Sequence, residues 1–141
     1  DYDNDGDLDL AVGGGEGVRL FRNDGNENHW LHVQVVGKES NRSGIGARVT
    51  LTPWQFSNSL PPSGGGLGWG GIQIREVQGG KGSGSQHSLP VEFGLGGYNG
   101  PIDVVVRFPS GKIVRKNMVT PNRMIVVDER QQFSVNHRRQ Y

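Results

Sequence analysis

The sequence contains no cysteine. Disulfides therefore neither hold the chain together nor report on its redox compartment. No apolar run approaches the roughly 20 residues of a membrane-spanning helix, and no signal peptide is visible. No window places apolar residues at i, i+3, i+4 and i+7, so amphipathic helices are not predicted. Basic side chains are scattered apart from His137-Arg138-Arg139. Without a dense basic stripe or a recognisable module, nucleic acid is not an expected partner. Catalytic groupings are missing too. There is no Gly-x-Ser-x-Gly elbow, and His29 and His32, three apart on a strand, project to opposite faces. His87 lies in a Gly/Ser loop without a partnered acid, and Glu76 and Glu92 both suit the solvent face of a strand. The chain reads as a non-enzyme.

Glycine is abundant, with 24 in 141 residues, 14 of them between Gly64 and Gly100. That density argues for many tight turns. Acidic residues are also unevenly placed: five of the 14 lie in the first nine positions. Asp1, Asp3, Asp5, Asp7 and Asp9 alternate, with Gly6 among them. Such a run repels itself unless a cation intervenes, and calcium takes six to eight oxygens at about 2.3–2.6 Å. Asp1, Asp3 and Asp5 would give side-chain oxygens, Asp7 its carbonyl and Asp9 a closing carboxylate. The segment is not an EF-hand loop, since Val12 stands where that pattern has a bidentate glutamate. No helix flanks it either. The expectation is a calcium loop opening a β-hairpin.

Period-two alternation recurs along the rest of the chain. Val18–Phe21 is a short strand, followed by an Asn23-Asp-Gly-Asn turn. Leu31, Val33 and Val35 share one face, with His32 and Gln34 opposite. Ala47–Thr52, Ile72–Val77, Val91–Phe93, Ile102–Phe108 and Ile113–Lys116 follow. Pro109-Ser-Gly111 makes a hairpin turn, and Met124–Val127 reads as a buried strand. This spacing predicts an all-β, antiparallel sandwich or barrel-like domain behind the calcium-loop hairpin. The expected division is 1–27 for the loop and hairpin, 28–130 for the β-domain and 131–141 for a polar tail. The segment from Pro53 to Gly71 is long for a loop in a compact domain. It carries Trp54, Phe56 and Trp69, either a contact surface for sugar or protein or a cap on the core. Gly66-x-Gly68-x-x-Gly71 matches a dinucleotide pattern in letters alone, because it precedes a strand instead of opening a helix.

Two resemblances emerge. Asp-x-Asp-x-Asp-Gly-x-x-Asp-Leu-Ala-Val over Asp1 to Val12 resembles the calcium motif of FG-GAP/VCBS repeats. Asn28-His-Trp-Leu, Ser40-Asn-Arg-Ser-Gly-Ile-Gly-Ala-Arg-Val-Thr50, Arg75-Glu-Val-Gln-Gly-Gly80, Phe93-Gly-Leu-Gly96, Val106-Arg-Phe-Pro-Ser-Gly111 and Pro121-Asn122 resemble the ASPIC/UnbV domain. The chain holds only the last part of one FG-GAP unit, and the Trp54–Trp69 segment stands where the ASPIC/UnbV pattern has a short turn. Because the chain opens inside a motif, a mature fragment with its export signal lost upstream is expected. The resemblance implies a secreted or cell-surface protein with an adhesive or matrix-like role, partnered by a protein or glycan surface. Asn41-Arg-Ser43 is a glycosylation sequon in letters, though as part of the domain signature Asn41 is expected to be structural. Two further readings stay open. One is self-assembly into an oligomer or filament by strand addition through the N-terminal strands. The other is carbohydrate binding by Trp54, Phe56 and Trp69.

Overall fold

The computed structural model describes residues 2–3, 5, 7–54, 71–80 and 88–131. They form nine strands and, among the described residues, no α-helix. The strands are β1 (Leu10–Gly14), β2 (Gly17–Phe21), β3 (His29–Val36), β4 (Arg48–Pro53), β5 (Gln73–Glu76), β6 (Val91–Gly96), β7 (Ile102–Arg107), β8 (Ile113–Val119) and β9 (Arg123–Asp128). β1 and β2 form a two-stranded sheet by themselves. The others make a three-stranded sheet ordered β6-β3-β9 and a four-stranded sheet ordered β5-β4-β7-β8.

Alternation dictates the packing of these two larger sheets. In β3, Leu31 and Val33 sit opposite Phe93 and Val91 of β6, and Val35 sits opposite Val127 of β9. In the other sheet, Val49 and Leu51 sit opposite Val106 and Val104, and Val106 opposite Val114. Residues paired across neighbouring strands share a face, so each sheet presents one continuous apolar surface. Among the described residues, sixteen apolar side chains are buried in the resulting core. Burial of a valine, leucine or phenylalanine contributes about 1.5–3 kcal/mol each, which makes this interior the main source of stability. The architecture is the expected all-β sandwich.

Three details depart from the alternation-based reading. β9 runs parallel to β3, whereas the other five pairings among the described strands are antiparallel. Met124–Val127 is not a buried run: Met124 and Val126 are about half exposed and Val127 alone is fully buried. β9 is an edge strand whose outer face stays open, so every second residue meets solvent. Conversely, His32 does not face water. It is 3% exposed, because its outer face of β3 is covered by the Trp30 ring, whose centroid lies 4.4 Å away.

The connection between β3 and β4 is compact. Asn41 brackets Ile45, accepting its N–H on Oδ1 and donating Nδ2–H to its carbonyl, both at 2.8 Å. Gly44 has φ +66, and a Cβ there would sit 2.5 Å from Val35 Cγ1. Only glycine meets both demands.

Candidate functional site

The aspartates wrap against the turn that follows β2. Asp9 is the closing residue: its Oδ1 accepts the Asn23 N–H at 2.8 Å and its Oδ2 the Tyr2 N–H at 2.9 Å. Those two backbone donors, Asn23 foremost, hold the Asp9 carboxyl below its ordinary pKa. Asn23 also donates Nδ2–H to the Leu8 carbonyl at 3.3 Å. Asp7 lies directly on Gly25, where a Cβ would come within 2.0 Å of Asp7 Oδ2 and φ is +74. Asp3 and Asp5 each accept one backbone N–H two residues on, from Asp5 at 3.4 Å and Asp7 at 3.0 Å. Arg22, at the end of the hairpin, bonds Asp24 through Nε at 2.7 Å and lies 3.8 Å from Asp3 Oδ2. The loop therefore fastens both ends of the β1–β2 hairpin at its base.

Oxygen is the only donor type that Asp3, Asp5, Asp7 and Asp9 offer, which is what a hard cation such as calcium takes. A carboxylate has about four acceptor positions, so one N–H leaves Asp3 and Asp5 with capacity for a metal. In donor chemistry the loop fits calcium. Among the described residues no three His, Cys, Asp or Glu side chains gather closely enough to hold an ion, and the expected ligand Asp1 lies outside those residues.

Of the other expected site residues, Trp54 and Asn41 are described. Trp54 stands at the end of β4, 45% exposed, with its N–H on the Pro101 carbonyl at 2.9 Å. Phe56 and Trp69 lie outside the described residues. Asn41 spends both ends of its amide on Ile45, as above, which gives the sequon a structural use. Trp54 is not among the residues lining the cleft beside Trp30, whereas Glu76 and Glu92 both line it.

Sequence reasoning missed a second convergence, at Glu129. This side chain is 1% exposed. Its Oε2 accepts the N–H groups of Lys38, Glu39 and Ser40 at 2.5, 2.9 and 2.9 Å. Its Oε1 accepts the hydroxyls of Ser40 at 2.8 Å and Ser110 at 2.5 Å. Burial by itself would raise the pKa, but these donors, the Lys38 N–H first, outweigh it and bring it down to about 2. Glu129 thus ties the 38–40 loop, the 109–111 turn and the end of β9 together, and among the described residues no cation pairs with it. The signal lay in the letters Ser40 and Pro109-Ser110-Gly111, whose meeting point no local pattern reveals.

Ser40, the loop to Ala47 and the Pro-Ser-Gly turn fall within the part of the chain that fits a known family. The profile described as ASPIC and UnbV matches residues 37–133. The chain belongs to the ASPIC and UnbV family. The match begins after β3, so the aspartate loop, the hairpin and Trp30 lie outside it. No curated protein and no solved structure matches the chain. Within the ASPIC and UnbV region, Glu129 links the ends of β3 and β9 in one sheet to the β7–β8 turn of the other.

Proposed function

We propose that this ASPIC and UnbV protein is a non-enzymatic extracellular structural and interaction module whose N-terminal hairpin is clipped in place by calcium. The reading is carried by the charge imbalance of the aspartate loop. Asp3, Asp5, Asp7 and Asp9 follow one another along the loop at the base of the hairpin, where Arg22 stands 3.8 Å from Asp3 Oδ2. A divalent cation would offset the repulsion that remains. Asp3, Asp5 and Asp7 would hold it, with Asp9 keeping the loop closed through Asn23 and Tyr2. The metal's role here is structural. Limited proteolysis tests the reading: calcium should protect the 2–25 region from cleavage, and a chelator should expose it. Equal cleavage rates with and without calcium would count against it.

A second reading rests on the hairpin itself. Every residue of β1 and β2 is exposed, and among the described residues the pair bonds to no other strand. Leu10, Val12 and Phe21 lie on one face and Ala11, Val18 and Leu20 on the other. An isolated two-stranded hairpin is marginal in water, so a partner surface would stabilise it. Self-assembly through these strands is the corresponding proposal. Analytical ultracentrifugation of the full chain and of a chain lacking residues 1–22 tests it. Assembly that persists after the deletion removes the hairpin from the explanation.

A further inference from the structure

Two unusual backbone features converge on Trp30. A β-bulge falls between His29 and Trp30 in the pairing with β6, and bulges re-aim side chains. Asn122 has a positive φ of 55, a conformation that persists in a non-glycine residue only where its surroundings over-determine it. Its N–H donates to the Trp30 carbonyl at 2.7 Å, and its Oδ1 accepts the Trp30 N–H at 3.2 Å. Its Nδ2 lies 2.9 Å from His29 Nδ1. These bonds fix the Trp30 backbone, from which the indole projects.

Its indole lines a cleft of about 640 Å³ between the β6 side of one sheet and β5 of the other. The His32 ring packs against it at 4.4 Å between centroids, with the planes tilted by 46°. Glu92, directly across from His32, accepts the Ser88 hydroxyl on Oε1 at 2.7 Å. Arg75 stands over the Phe93 ring, 5.6 Å from its centroid. Opposite Trp30 on β6 is Gly94, where an added Cβ would meet nothing within 4 Å. Open space therefore adjoins the indole where a cross-strand side chain would ordinarily stand.

The volume suits a small ligand, since such sites span about 300–1,000 Å³. A pyranose ring has an apolar C–H face and a rim of hydroxyls that both donate and accept. An indole face accommodates the first. Glu92 as acceptor and Arg75 as donor suit the second. The charge on the walls narrows the class. Glu76 and Glu92 outnumber Arg75 around the cleft, an excess of negative charge that disfavours acidic sugars, while Arg75 disfavours a cationic ligand. We propose that this cleft binds neutral pyranose sugars, with Trp30 as the stacking platform and Glu92 and Arg75 as hydroxyl partners. Trp54 does not line the cleft, and the site does not require a metal in the aspartate loop.

The test is binding of the full chain to neutral gluco-, galacto- and manno-oligosaccharides, screened on a printed array and measured by calorimetry, with acidic oligosaccharides and a quaternary ammonium as comparisons. Neutral sugars should bind, and Trp30→Ala should weaken the best of them by about tenfold or more. Gly94→Leu has room for its Cβ, so it should leave the melting temperature unchanged while filling the space beside the indole and weakening binding similarly. Undiminished binding in both variants would overturn the proposal. So would binding confined to acidic sugars or to the ammonium, or no neutral sugar bound at millimolar concentration.

Discussion

Replacing Glu129 with alanine removes the acceptor of five hydrogen bonds at once. The Ser40 and Ser110 hydroxyls can rotate toward other partners, so their loss is small. The backbone N–H groups of Lys38, Glu39 and Ser40 cannot rotate. Leaving a buried donor unsatisfied costs about 1–3 kcal/mol. Lys38 and Glu39 are exposed and Ser40 is half-buried, so water recovers part of that. The expected destabilisation of Glu129→Ala is therefore roughly 3–5 kcal/mol, near the lower end of the sum. Glu129→Gln keeps the shape and an acceptor oxygen for the three N–H groups but removes the charge. Charge-assisted bonds contribute about 1 kcal/mol more than neutral ones, so its cost should be roughly 2–3 kcal/mol. Urea unfolding followed by far-ultraviolet circular dichroism measures both. A Glu129→Ala midpoint within about 0.5 kcal/mol of the unsubstituted chain, the range of ordinary surface changes, would refute the reasoning.

Further expectations follow from the same framework. Glu129 falls from an ordinary 4.5 to about 2 and Asp128, bonded by Arg130, from 3.8 to about 2. Between these values the folded state binds fewer protons than the unfolded one, so their stabilisation is full above about pH 4.5 and is lost as pH falls toward 2; acid titration of Glu129→Gln should show a shallower loss over that window. Gly44→Ala adds a Cβ 2.5 Å from the buried Val35 side chain at a φ of +66. Overpacking and backbone strain together should cost about 2–4 kcal/mol, and a melting temperature equal to that of the unsubstituted chain would contradict the close approach.

Much of the fold was legible because alternation is a local property. Leu31, Val33 and Val35, or Ile102, Val104 and Val106, announce a buried face wherever their strand lies, and Pro109-Ser-Gly111 announces its turn. Strand partnership is not local. Nothing near Arg123–Asp128 indicates that it pairs in parallel with His29–Val36 across most of the chain. His32 and Met124 show the same limit: their exposure depends on what covers the outer face of the β6-β3-β9 sheet, and alternation says only that they point away from the core. Polar convergence was the least visible. Ser40, Ser110 and Glu129 are each ordinary in their own windows, and they acquire meaning when the fold brings them together. Asn122 likewise reads as a turn residue until its amide is found holding Trp30. The aspartate run was plain in the sequence. Its docking on Asn23 and Gly25 was not, because those residues read as a separate turn.

If calcium clips the aspartate loop to the hairpin, thermal unfolding will differ with and without the metal. Binding to the folded loop alone stabilises by RT ln(1 + [Ca]/Kd), about 2.7 kcal/mol at a hundredfold excess over Kd. For a chain of this size that is a rise in Tm of roughly 5–10 °C. The rise should be reversed by chelator and abolished by Asp3→Asn combined with Asp5→Asn, with magnesium as the comparison ion. A Tm that is the same in calcium and in chelator would contradict the account.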